Sequence, residues 1–335
     1  MTILFWILVF IGSLALLVKS ADWFVESAEK IGLAFKLSPF IIGVTIVAIG
    51  TSFPELASSI VAVLKGATEI VTANALGSDI ANILLVGGLS AIIAGKLIVK
   101  RSLIDLDSPL LATSLVLFLF IIRDKQIVFG EGVLLIIAFI IYVLYTIYQN
   151  REEERAAESS EFLPSRIEKG EREAKIEEIE EKIGVQKLDF KVFFFLFLGI
   201  AGLAIGANYT IESVLKISEI LNISASLIAI TAIAVGTSLP ELVISVKAAL
   251  KKKYEIALGN IFGSNVFNVL LIVGVPALIS PLKVDELTFS IGIPFLAIAT
   301  LLFVISGISR KIHCWEGMMY ILIYVLFIVK LCGLF

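Results

Sequence analysis

Long apolar runs broken by brief polar stretches dominate this chain. Runs of about 20 residues or more, the length at which a helix crosses a ~30 Å hydrocarbon layer, occupy residues 3–28, 39–64, 70–94, 103–122 and 126–149. A second set follows at 190–216, 225–250, 254–279, 285–306 and 313–334. These segments are apolar throughout and do not alternate over ten residues, so the pattern predicts helices and excludes a membrane barrel. The first run has no basic residue before Lys19 and is long enough to span, which reads as a retained helix and not a secretory signal. The expected fold is an all-α integral membrane protein of ten transmembrane helices in two five-helix halves, residues 1–149 and 190–335.

Composition agrees, because 59% hydrophobic and 17% charged residues exceed what a soluble core of 335 residues could hide. The net charge of −3 suggests no nucleic-acid partner. The polar stretch at 150–189 holds 13 carboxylates and belongs in water as a linker. Ile176, Ile179 and Ile183 recur within it at helical spacing and predict a short amphipathic helix. No D-x-D-x-D-G spacing appears there, so a regulatory calcium loop is not expected.

Five spans per half is an odd number, so the second half must enter the membrane from the opposite side. The halves are therefore expected to be inverted repeats. Most Lys and Arg fall in the loops after spans 1, 3, 5, 7 and 9, which puts the linker in the cytoplasm and both termini outside.

The halves also share sequence. Residues 45–88 (the first motif) match residues 231–274 (the second) at 21 of 44 positions, at a constant offset of 186 with no gap. The shared residues include Gly50, Thr51, Ser52, Pro54 and Glu55 against Gly236, Thr237, Ser238, Pro240 and Glu241. Asn74, Gly77, Ser78 and Asn82 recur as Asn260, Gly263, Ser264 and Asn268.

Within GTSFPEL and GTSLPEL a proline meets a charge. Pro54 and Pro240 have no N–H for the carbonyls of Gly50 and Gly236, so a helix break with free backbone oxygens is expected at each. Ser52 with Glu55, and Ser238 with Glu241, are three apart and share a helix face. Packing or flexibility explains many membrane prolines. It does not explain a carboxylate that costs on the order of 3 kcal/mol or more in the bilayer and appears twice. In the next span, Ser78 and Asn82, then Ser264 and Asn268, are four apart on one face, with Asn74 and Asn260 one turn away. Gly77 and Gly263 are expected to admit a neighbouring helix closely.

The paired GTSxPE and GSxxxN segments resemble the two alpha repeats of the cation/calcium exchanger superfamily, specifically prokaryotic sodium/calcium exchangers. The resemblance covers nearly the whole chain. It implies a sodium/calcium antiporter of the cell membrane, working by alternating access and functional as a monomer, with Ca²⁺ and Na⁺ as transported ions and no cofactor. Calcium would be held by the carboxylates of Glu55 and Glu241 and the carbonyls of Thr51 and Thr237. Sodium would use overlapping sites built from Ala48, Ser52, Ser78, Ala234, Ser238 and Ser264, with Asn82 and Asn268 at the centre. Three sodium ions would exchange for one calcium, moving one net charge per cycle. The first helix of each half, from Ile3 and from Phe190, would slide across a fixed core.

Other residues refine these expectations. Asn268 stands where some relatives, including potassium-dependent exchangers, carry Asp, which argues against potassium dependence. Asp79, opposite Asn265 in the other repeat, lies about 100° around the helix from Ser78 and is expected to point away from the pocket centre. Its sharper reading is a third carboxylate that alters cation choice. Asp22, Glu26 and Ser27 align with Asn208, Glu212 and Ser213 and are expected at water-facing helix ends. His313 reads as a helix-end residue, and Cys314 and Cys332 lie too far apart along one helix to pair. Among rivals, a calcium/proton exchanger would show His after the motif glutamate, where Leu56 and Leu242 stand. A channel would need a pore about a symmetry axis. An enzyme is not expected, since no GxGD, HExxH or Ser/His set accompanies the carboxylates and His313 is the single histidine.

Overall fold

The computed structural model describes residues 3–35, 37–98, 108–161, 189–221 and 238–333. Within them the chain is predominantly helical. The helical segments are α1 (Ile3–Ala34), α2 (Pro39–Leu64), α3 (Thr68–Ala94), α4 (Ser108–Ile121) and α5 (Phe129–Glu161). They continue with α6 (Phe190–Ile220), α7 (Leu239–Leu250), α8 (Tyr254–Ala277), α9 (Thr288–Ile308) and α10 (Cys314–Leu331). Eight of these are long and apolar enough to cross a membrane. The exceptions are α4 and α7, with 14 and 12 described residues.

Two boundaries differ from expectation. The first helix runs to Ala34 and not 28, and the fifth continues past 149 to Glu161, into the acidic linker. The α5 extension consists of charged, polar and alanine residues with no Pro or Gly stop, so the helix continues after its apolar stretch ends, whereas the α1 extension passes through Gly32, which packs against Ile42. The amphipathic helix expected around Ile176, Ile179 and Ile183 lies outside the described residues.

The segments sort by burial. α8 is enclosed by protein almost completely, α3 mostly and α2 by about half, while α1, α5, α6 and α10 form the periphery. The peripheral helices expose Leu4, Phe5, Leu8, Leu144, Phe190, Phe197 and Leu322. In water such a surface would drive association; lipid is the solvent that suits it.

Small residues set the closest approaches. A Cβ on Gly259 would stand 2.6 Å from the Phe40 carbonyl oxygen, and one on Gly43 would stand 3.0 Å from the Gly259 Cα, so α2 and α8 touch backbone to backbone. α1 lies along α6. Gly199, Gly202 and Gly206 meet Phe24, Ser20 and Leu17 in turn, and Thr210 Oγ1 donates to Ser13 Oγ at 2.9 Å. Numbers rise on α6 as they fall on α1, so this pair is antiparallel.

Four short strands make two antiparallel ribbons. β1 (Lys96–Ile98) pairs with β4 (Lys311–His313), and β2 (Gln126–Ile127) pairs with β3 (Leu282–Lys283). At the 186-residue offset Lys96 corresponds to Leu282 and Gln126 to Ile312. Each ribbon therefore joins one strand from either half, and the two ribbons are equivalents of one another.

The α2–α3 and α7–α8 turns are likewise matched. Ala67 N donates to Ala62 O at 2.9 Å, and Lys253 N to Ala248 O at 2.8 Å, each closing its helix through a left-handed residue. That residue is Gly66 (φ 78°) in one copy and Lys252 (φ 59°) in the other.

Candidate ion-binding site

Two carboxylates meet where α2, α3, α7 and α8 come together. Glu55 on α2 is 4% exposed and Glu241 in the first turn of α7 is 2% exposed. Ser52 Oγ donates to Glu241 Oε1 at 3.2 Å, a bond between residues 189 apart in sequence that ties the two motifs into one site.

A second set of bonds braces this arrangement. Thr51 Oγ1 shares its one proton between the Ala48 carbonyl at 3.1 Å and Asn260 Oδ1 at 3.3 Å. The Asn260 amide donates in turn to the Glu241 carbonyl at 3.4 Å and to Ser245 Oγ at 2.9 Å. Asn260 thus holds α2 and α7 from its place on α8. Gly263, one turn on, faces Val44 and Ala48 of α2 and keeps the helices close enough for those bonds.

The oxygens left over define the chemistry. Glu55 Oε2, Glu241 Oε2, Asn82 Oδ1, Asn268 Oδ1, Ser238 Oγ and Ser264 Oγ are buried and have no hydrogen-bond partner among the described residues. An unsatisfied buried polar group costs about 1–3 kcal/mol, and a charged one more. Six such oxygens on equivalent helices of the two halves suit a hard cation, which takes oxygen ligands and repays that cost.

Of the residues expected at the site, Ala48, Thr51, Ser52, Glu55, Ser78, Asn82, Glu241, Ser264 and Asn268 are all buried on these four helices, and Ser238 is buried at the N-terminal end of α7. Ala234 and Thr237 lie outside the described residues, as does Gly236. Asn260 is fully buried and bonded, whereas its counterpart Asn74 is half-buried and lines a cavity of about 400 Å³ together with Gly77, Ser78 and Thr288.

Three expectations are corrected. No break occurs at Pro54: the α-helix runs from Ala48 to Leu64 through it, and the irregular turn comes earlier, as a π-helical stretch at Gly43–Val47. Pro54 still has no N–H to offer the Gly50 carbonyl, within an otherwise continuous helix. Pro240 sits in the first turn of the described part of α7, after Ser238, and the break expected at Gly236 lies outside the described residues. Gly77 differs from Gly263: a Cβ there meets nothing within 4 Å among the described residues. Asp79 does not point away from the site, since its Oδ1 accepts from Asn268 Nδ2 at 2.9 Å. Helical rotation alone misplaced it because the partner on α8 reaches around to that side.

Other features were not anticipated. Ser245 supports Asn260, and the signal for it was present, since Ser59 occupies the same position of the first motif. π-helical stretches at Ala81–Gly87 and Asn268–Ile272 lie at Asn82 and Asn268, in equivalent parts of α3 and α8. No residue pattern announces them. Asp22, expected at a water-facing end, is partly buried and paired with Lys247 at 2.5 Å and Lys251 at 3.0 Å, linking α1 to the end of α7. Lys253 pairs with Glu29 beside them. His313 is a helix-end residue, with its backbone N–H on Glu316 Oε2 at 2.7 Å at the start of α10, and Cys314 and Cys332 are free.

Membrane-crossing helices around paired, enclosed carboxylates and uncommitted oxygens define a class of protein: a membrane protein that handles cations. Comparison with known proteins narrows this. The family model for sodium/calcium exchanger protein matches residues 5–148 and 191–333. The chain is 35% identical to the sodium/calcium exchanger MaX1 of Methanosarcina acetivorans, over 97% of both chains. It is 31% identical to the inner membrane protein YrbG of Escherichia coli, over 91% of this chain and 87% of that one. Its fold matches the sodium-calcium exchanger NCX_Mj, soaked with zero Na⁺ and Ca²⁺, at a TM-score of 0.76 and 30% identity, covering 98% of this chain and 100% of the other. This chain belongs to the sodium/calcium exchanger family, whose members are transporters.

Proposed function

We propose that this protein exchanges sodium for calcium across the cell membrane, binding both at the site between Glu55 and Glu241. The observation that carries this is the set of unpartnered buried oxygens contributed by both halves. Two carboxylates balance one Ca²⁺, whereas a bare pair would be strongly unfavourable in that environment. The carbonyls of Thr51 and Thr237 complete the calcium position, and Ala48, Ser52, Ser78, Ala234, Ser238 and Ser264 the overlapping sodium positions, with Asn82 and Asn268 at the centre. Shared ligands then make binding mutually exclusive, which is what couples the two ions.

Ten spans in two inverted halves, 1–149 and 190–335 around a 150–189 cytoplasmic linker, are the architecture for this cycle. The antiparallel run of α1 against α6 supports inversion, as do the ribbons that exchange equivalent strands. α4 connects β1 to β2, and α9, a full-length span, connects the equivalent strands β3 and β4. That supports α4 as a span too. Alternating access follows if the α1–α6 pair moves across α2, α3, α7 and α8. Both termini would be outside and the monomer would be the working unit.

The test is radiocalcium uptake into vesicles holding purified protein, against outward gradients of Na⁺, K⁺ or H⁺. Uptake is expected with Na⁺ alone, and Glu55→Gln or Glu241→Gln should each abolish it. Uptake driven only by H⁺ would replace this reading with calcium/proton exchange.

A further inference from the structure

Two carboxylates account for the charge of the proposed site, yet a third lies against it. Asp79 on α3 is 1% exposed, and its Oδ1 accepts from the side-chain amide of Asn268 on α8, itself 1% exposed, at 2.9 Å. The contact joins one half of the chain to the other. Its equivalent cannot exist in the same form, because Asn265 occupies the matching position.

An amide has an oxygen that only accepts and a nitrogen that only donates, whereas an ionised carboxylate only accepts. In the observed contact Asp79 is met by the nitrogen of Asn268 and not by its oxygen. This fixes the amide about its last torsion and turns Oδ1 the other way. That oxygen is buried without a partner among the described residues. The other half shows no such lock: both amide atoms of Asn82 and both of Asn265 are without a partner among the described residues.

We propose that Asp79 is a positioning residue of the cation site, which holds the Asn268 amide with its oxygen toward the ion and its hydrogens away. The inference rests on reading Glu55 and Glu241 as that site. In the reverse orientation the amide would aim its NH₂ at the cation, replacing a ligand with a repulsive group. An amide at position 79 could either accept or donate, so Asp79→Asn leaves both orientations of Asn268 satisfied. The consequence is a site built unequally, with one central asparagine locked and the other free to turn as ions exchange.

Equilibrium radiocalcium binding to the purified full-length protein in detergent, with uptake into vesicles, tests this. Asp79→Asn should weaken calcium binding and raise the half-saturating concentration for uptake by about tenfold, the loss expected for a hydrogen bond to a charged group. The maximal rate should change much less. In an Asn268→Ala background, where there is no amide to orient, Asp79→Asn should cost nothing further. Unchanged affinity in Asp79→Asn would overturn the proposal, as would an equal further loss from Asp79→Asn in the folded Asn268→Ala protein. If Asp79→Asn does not fold, Asp79→Ser, whose hydroxyl also both donates and accepts, takes its place under the same two outcomes. A parent protein that binds no calcium, or a Glu55→Gln variant that binds it unchanged, would instead refute the two-glutamate site.

Discussion

Gly263→Ala probes the crossing that holds the site together. The added Cβ would lie 2.4 Å from the Val44 carbonyl oxygen, 2.7 Å from the Ala48 Cβ and 2.8 Å from the Val44 Cα. Carbon approaches a carbonyl oxygen to about 3.3 Å at closest, so α2 and α8 would have to part by about 1 Å. Overfilling a packed interior costs about 1–3 kcal/mol. The same separation would release the Thr51–Asn260 bond, already 3.3 Å long and worth about 1 kcal/mol. Against this stands the better helix propensity of Ala over Gly, about 1 kcal/mol. The net loss is about 1–3 kcal/mol, and because Ala48 and Thr51 belong to the displaced segment, calcium uptake should fall with stability. Thermal melting of the purified protein measures the first and vesicle uptake the second. Gly12→Ala is the control, on an exposed face of α1 where a Cβ meets nothing within 4 Å among the described residues, and should melt no lower than the parent. A Gly263→Ala protein that melts at the parent temperature with full uptake would refute the close approach of these helices.

Two further outcomes follow from the packing. Lys252 adopts the left-handed conformation (φ 59°) that Gly66 adopts in the other copy, at a cost of about 1 kcal/mol for a residue with a Cβ, so Lys252→Gly should raise the melting temperature; an unchanged or lower value counts against strain there. Asp22→Asn removes the shared anion of Lys247 and Lys251 and should destabilise the protein by about 1 kcal/mol at low ionic strength, with the gap to the parent narrowing in high salt. Melting curves at two salt concentrations check both the sign and the screening.

Much of this molecule was legible one residue at a time. Apolar length marked the helical segments, since a bilayer accepts little else. The offset of 186 singled out Glu55 and Glu241 with their serines and asparagines, because duplicated polar residues in an apolar background require a shared use. Less legible were features set by neighbours. Pro54 sits inside a regular helix, and the irregular turn comes instead at Gly43–Val47, where Gly43 lies against Gly259 and Asn260. Asp22 left water for Lys247 because α1 lies beside the end of α7. The ribbons could not be foreseen, since strands of two or three residues carry no periodic signal and exist only because the opposite half supplies the partner.

The sequence by itself determined the solvent, the helical class, the duplication and the identity of the polar residues that had to act together, all of which depend on local composition and spacing. The tertiary structure alone decided which of those residues touch. Ser52 reaches Glu241, Thr51 reaches Asn260 and Asp79 reaches Asn268 across about two hundred residues of chain. A hydrogen bond depends on distances of tenths of an ångström between helices, and no one-dimensional pattern contains the crossing of α2, α3, α7 and α8 that brings those atoms within range.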